Sequence, residues 1–148
     1  MSTETTGTAT PSALDVVRAV YVSHEHRDTP GLVDLLTDDV EWHQAEGHPY
    51  YGGRPWRGPD EVVENVVEHI NNDWDDYQTS VEEFIDAGDS VIVLGRYTGT
   101  YRSTGRQIDV PVCTIYRVRN GQIWHWQQFT NTAAFRHAMQ LPYQAETS

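Results

Sequence analysis

QIDVPVCTIYRVRNGQIWHWQQFT, residues 107–130, decides the fold. Two runs rich in Val, Ile, Thr, Tyr and Trp flank Asn120-Gly121. Both central residues of a two-residue hairpin turn want a positive φ, and Asn-Gly meets that demand, so the stretch reads as two long strands joined by a tight hairpin. Working backwards, Thr79 to Asp86 and Ser90 to Tyr101 have the same composition, and Ala87-Gly88-Asp89 and Thr104-Gly105 separate the segments. Four long strands in sequence predict an antiparallel meander.

The preceding third of the chain changes period. Ser12 is placed to cap a helix whose apolar face is Leu14, Val16, Val17, Val20 and Tyr21. Thr29-Pro30 starts a second, short helix with Leu32, Val33, Leu35 and Leu36 as its buried side, because proline is pre-shaped for a first turn. Asp38 and Asp39 then lead into a strand around Val40 to His43. Gly58-Pro59 opens a third helix, with Val62, Val63, Val66, Val67 and Ile70 at helical spacing. Thr132 to Met139 predicts a closing helix. The order implies an α+β fold, with helices on one face of a bent antiparallel sheet.

Composition narrows the function. The chain has 148 residues, suited to one domain over 12–140, with a disordered tail at 1–11 and a C-terminal tail at 141–148. Its formal charge of −12 repels nucleic acid and anionic membranes. Apolar runs are too short to span a bilayer, and MSTETTGTATPS lacks the basic start and apolar stretch of a signal peptide. One cysteine, Cys113, excludes an internal disulfide and suits a reducing cytoplasm.

AVYVSHEHRDTPGLVDLLTDDVEWH, PWRGPDEVVENV, GDSVIVLGRYTGTY and NGQIWHWQQFTNTAAF, in that order, resemble the nuclear transport factor 2-like superfamily, and within it the SnoaL-like and ketosteroid isomerase-like branch. The resemblance covers roughly residues 12 to 140. It implies a cone-shaped bent sheet wrapped around three helices (a cystatin-like α+β barrel) that encloses a pocket, a homodimer, and no metal or cofactor. The same cone serves isomerases, polyketide cyclases, epoxide hydrolases, dehydratases and non-catalytic modules, so function has to come from the site. Tyr21 matches the tyrosine of steroid isomerases. Their catalytic acids, however, fall at Gln44 and Cys113 here, the acid of the cyclases falls at Asn131, and the epoxide-hydrolase constellation finds Arg96 but Thr98 in place of an acid.

If Gln44 and Cys113 inherit inward positions, strand alternation turns Trp42 inward too. The same matching turns Trp124, Trp126 and Gln128 inward and His125 and Gln127 outward; a one-residue slip exchanges these sets. The expected pocket is an aromatic box of Tyr21, Trp42, Tyr50, Trp124 and Trp126, with Gln44, Cys113, Gln128 and Asn131 as hydrogen-bonding points, suited to a flat, largely apolar small molecule carrying a few oxygens. The tryptophans read equally well as core or dimer-interface residues, and Cys113 as an inert core thiol.

EWHQAEGHPYYGG, residues 41–53, is the richest local constellation. His43, Glu46 and His48 match no recognised metal-ligand spacing. As acid–base groups, Glu46 is the candidate base in place of the missing acid, with His43 assisting; alternatively Glu46 and His48 sit on a solvent-facing loop that Gly52-Gly53 turns. Three functions stay open: cofactor-free isomerisation, cyclisation or dehydration by general acid–base catalysis, a non-catalytic ligand-binding or dimerisation module, and epoxide hydrolysis.

Overall fold

The computed structural model describes residues 10–141, so the tails expected at either end lie almost wholly outside the described residues. Ser12 caps α1 (Ala13–Glu25) by accepting the Asp15 N–H at 3.1 Å, and Val16, Val17 and Val20 are buried. Asp28 caps α2 (Thr29–Asp34), with Pro30 in its first turn. β1 (Leu36–His43) starts earlier than expected because Leu36 already pairs with Ile123. β2 (Trp56–Arg57) is a two-residue edge strand on β1 that no sequence signal announced.

The third helical segment is continuous but not uniform. It consists of α3 (Gly58–Val62), a π-helical stretch (Val63–Val67) and α4 (Glu68–Asp73). Four long strands follow: β3 (Trp74–Asp86), β4 (Ser90–Tyr101), β5 (Gln107–Arg119) and β6 (Gln122–Thr130). Asn120 and Gly121 take φ of 53° and 78°, as the hairpin between β5 and β6 requires. Asn131 caps the closing α5 (Thr132–Ala138).

The six strands lie in the order β2-β1-β6-β5-β4-β3. Neighbours are antiparallel except β1 and β6, which run parallel and bring the early strand beside the last one. The sheet curves around α1 and the 58–73 helix. Irregularities in the β3–β4 ladder at Asp75/Gln78 and Val81/Glu83 mark the bend. Gly95 sits where β3 comes closest: a Cβ there would stand 2.3 Å from the Ser80 carbonyl oxygen, so only glycine fits.

A bulge in β6 sets the facing of that strand. Arg117 pairs with His125 but Val118 pairs with Ile123, so Trp124 is an extra residue opposite the β5 ladder. Ile123 and Trp126 are therefore both buried, whereas Trp124 is only half-buried and packs beside the Arg119 guanidinium. Ile123 belongs to the cluster in which α1 and the 58–73 helix meet the sheet; a second cluster of Trp74, Tyr97, Val110, Val112 and Phe135 lies under α5.

Ile123 is fully buried in the larger cluster. Ile123→Ala is expected to lower stability by about 2–5 kcal/mol, seen as a fall in the urea midpoint with an unchanged m-value.

Candidate functional site

Between the curved sheet and the helices lies a cavity of about 740 Å³. Tyr21 and His24 of α1, Val66, Val67 and Ile70 of the third helical segment, Tyr77, Tyr97 and Tyr116 of the sheet, and Trp42, Gln44, His48, Trp126 and Gln128 line it. Trp42 and Trp126 are register partners on the parallel β1–β6 pair and project to the same side. Their rings stack at 3.9 Å and 9°, forming a flat aromatic wall.

The polar groups of the cavity are tied to one another. Tyr116 donates its hydroxyl proton to the Tyr21 oxygen at 2.8 Å. Gln128 accepts the Ala45 N–H and donates from Nε2 to the Tyr97 hydroxyl at 2.9 Å. Tyr21 and Tyr97 thus each accept a proton, and the buried Thr114 hydroxyl hydrogen-bonds with both phenols. Trp42 Nε1 donates to Gln44 Oε1 at 2.9 Å. His48 Nδ1 accepts the Tyr50 N–H at 3.0 Å, which leaves the ring proton on Nε2.

Burial keeps these groups neutral. Desolvation raises Tyr21 well above the ordinary phenol range, with the Tyr116 phenol beside it adding to the effect. It likewise raises Tyr116 and pushes Tyr97 up to about 12. Desolvation, reinforced by the Arg136 charge, lowers His48 to about 3. At neutral pH the buried part of the cavity therefore presents uncharged donors, whereas the Arg27 guanidinium lines it from an exposed position. The carboxylates among its lining residues, Glu25 and Asp28, are exposed.

With this geometry in hand, comparison with known proteins is direct. The SnoaL-like domain family matches residues 17–126. The chain belongs to that family. A nuclear transport factor 2-like protein from Burkholderia thailandensis is similar to it at 34% identity, over 87% of this chain and 98% of that one, with a TM-score of 0.82. TerC, co-crystallised with polyporic acid, is similar at 25% identity over 86% of this chain and 98% of its own, with a TM-score of 0.76. A ketosteroid isomerase-like protein from Catenulispora acidiphila, in complex with trimethylamine, shares the fold at 18% identity and a TM-score of 0.73, over 90% and 96% of the two chains. No curated protein matches the chain.

Within this SnoaL-like cone, five of the residues singled out in the sequence come together around the cavity: Tyr21, Trp42, Gln44, Trp126 and Gln128. The others lie elsewhere. Glu46 is exposed and lines, instead of the cavity, an adjoining groove of about 420 Å³ that shares Gln44 and Gln128 with it. His43 follows the alternation to the outer face, where it pairs with Glu41 at 3.3 Å. Cys113 is half-buried on the outer face, because Val112 and Thr114 take the inward positions. Asn131 spends its side chain on the Ala134 N–H as the α5 cap. Trp124 is turned out by the bulge. Tyr50 is buried beside the cavity as a pin: its hydroxyl accepts Trp74 Nε1–H and donates to Asp73. Arg96 points outward to Asp109 at 2.7 Å, away from the cavity.

Tyr97, Tyr116 and the inward place of His48 were missed, as was Thr114, which is buried behind the Tyr21 and Tyr97 phenols rather than in the lining. Asp109, Arg117 and Arg119 share one parity on β5, and that pattern alone places Thr114 and Tyr116 inside. His48 had no such signal: its position depends on a loop fixed by Tyr50 and on ring contact with Phe135 at 4.4 Å. The double glycine has two separate roles, since Gly53 takes a φ of 85° and the Trp56 ring lies where a Gly52 side chain would be.

The buried His48 ring also predicts a pH dependence. Unfolded, it binds a proton near its ordinary 6.5; folded, only near 3. The unfolded state therefore takes up the proton first as pH falls, and stability drops through that window by at most about 1.4 kcal/mol per pH unit. His48→Gln is expected to flatten that loss in urea melts taken between about pH 7 and 4.

Proposed function

We propose that this SnoaL-like protein binds a flat, largely apolar, oxygen-bearing small molecule in the cone and promotes its isomerisation, cyclisation or dehydration through an enol or enolate. The observation that carries this is the set of neutral donors, Tyr21, Tyr97 and His48 Nε2–H, in one cavity beside the Trp42–Trp126 wall. Such donors, fixed before the reaction and removed from bulk water, favour charge developing on a carbonyl oxygen; each is worth about 3–4 kcal/mol in comparable sites.

Glu46 is exposed and absent from the cavity lining, which argues against it as the base there, and Nδ1 of His48 is already occupied. The favoured substrate is accordingly one whose own acidity is high, such as a β-dicarbonyl or a hydroxyquinone, whose proton passes to a water molecule at the cavity mouth while the donors stabilise the anion. Co-crystallisation of TerC with polyporic acid supports a small organic ligand for the cone. A cytoplasmic homodimer without a cofactor in the cavity completes the proposal. A second function, binding without turnover, is favoured by the carboxylates lying at exposed positions rather than in the interior. Epoxide hydrolysis loses its support with Arg96 outside the cavity.

Tryptophan quenching by 2-naphthol and by a cyclic 1,3-diketone tests binding; deuterium incorporation at the diketone α-carbon, followed by NMR, tests chemistry. Tyr21→Phe is expected to weaken binding about tenfold and to slow exchange on the order of 10²-fold, while Glu46→Gln leaves both unchanged. Binding without accelerated exchange assigns the non-catalytic role. Failure of either probe to bind rejects the proposal.

A further inference from the structure

We propose that Glu41, His43 and His125 form a divalent transition-metal site on the outer face of the sheet, separate from the cone. Glu41 and His43 are two residues apart on β1 and so share a face; His125 is the register partner of Glu41 on the adjoining β6. The bulge at Trp124 is what gives His125 its outward position. One ligand atom from each of the three side chains lies within 4.8 Å of the others, and all three residues are half-buried. The two imidazole rings are 4.7 Å apart between centroids, and His43 Nε2 stands 3.3 Å from Glu41 Oε1.

A tetrahedral ion with bonds of about 2.0–2.1 Å holds its ligand atoms about 3.3 Å apart, so from within 4.8 Å a closure of up to about 1.5 Å by side-chain rotation completes the set. The strand backbones need not move. Two imidazole nitrogens with one carboxylate suit Zn²⁺, Ni²⁺, Co²⁺ or Cu²⁺ rather than Mg²⁺ or Ca²⁺. Gln127 Oε1, 3.3 Å from His125 Nε2, is close enough either to orient that ring or to join as a fourth donor.

Arg57 competes. It pairs with Glu41 Oε2 at 2.9 Å, leaving Oε1 toward His43. Its positive charge opposes a dication, so its removal strengthens binding. His43 and Gln127 also border the outer groove with Glu46, Tyr51 and Arg54, so an ion held here sits at the edge of a recess able to admit a small ligand.

Untagged full-length protein, stripped with chelator, is titrated with Co²⁺ by visible absorption and with Zn²⁺ by calorimetry. The expected result is one ion per chain with tetrahedral Co²⁺ bands. His43→Ala and His125→Ala should each weaken binding at least about tenfold, Arg57→Gln should tighten it several-fold, and His137→Ala, remote and exposed, should leave it unchanged. The Arg57 variant removes no ligand, so its gain in affinity reads the site even where a ligand variant folds poorly. Absence of saturable binding below about 1 mM, or binding unchanged in the His43→Ala/His125→Ala double variant, overturns the site. Neither result bears on the cavity, which is read out by 2-naphthol.

Discussion

One extra residue in β6 determines what the last strand contributes. Because Trp124 is accommodated as a bulge, the strand changes phase, and Ile123, Trp126 and Gln128 all face inward. Without that change, Ile123 and Trp126, an odd number of positions apart, could not both serve the same core. The Trp42 stack, the Gln128 bridge from the Ala45 backbone to the Tyr97 hydroxyl, and the outward placing of His125 beside His43 all depend on this phase.

The interior that results is polar without being charged. Its hydroxyls and amides satisfy one another in short chains, which offsets the cost of burying them. A cavity of this kind discriminates by where a ligand places its oxygens, since a misplaced oxygen loses a bond while the protein's own network stays intact. Charged side chains are kept to the mouth and the outside, where Arg96–Asp109, Arg57–Glu41 and Arg119–Asp39 are exposed pairs.

The α+β order, the meander and the bounds of β4, β5 and β6 were legible because strand alternation and turn chemistry are local signals. Tyr21 and Gln44 were placed by the family resemblance, and Trp42, Trp126 and Gln128 by alternation counted from the matched positions; all five line the cavity. Matching by motif failed at Cys113, where local parity pointed the other way: Asp109, Arg117 and Arg119 already marked odd positions as outward. Trp124, Tyr50, Glu46 and His48 were not readable because their facing is decided by a bulge and by a loop pinned through Tyr50 to Asp73 and Trp74. β2 has only two residues and no periodicity to read.

The parallel pairing of β1 with β6 has a consequence for how the protein comes into being. Gln128 reaches a backbone N–H 83 residues earlier in the chain, and Trp42 finds Trp126 across a similar span. Such a contact closes a loop containing most of the fold, at an entropic cost that the local hairpins do not bear. The meander can zip up residue by residue; the aromatic wall exists only after the chain has doubled back on itself. The cavity therefore depends on the contacts of greatest sequence separation, and its aromatic wall is complete only where the parallel seam is closed.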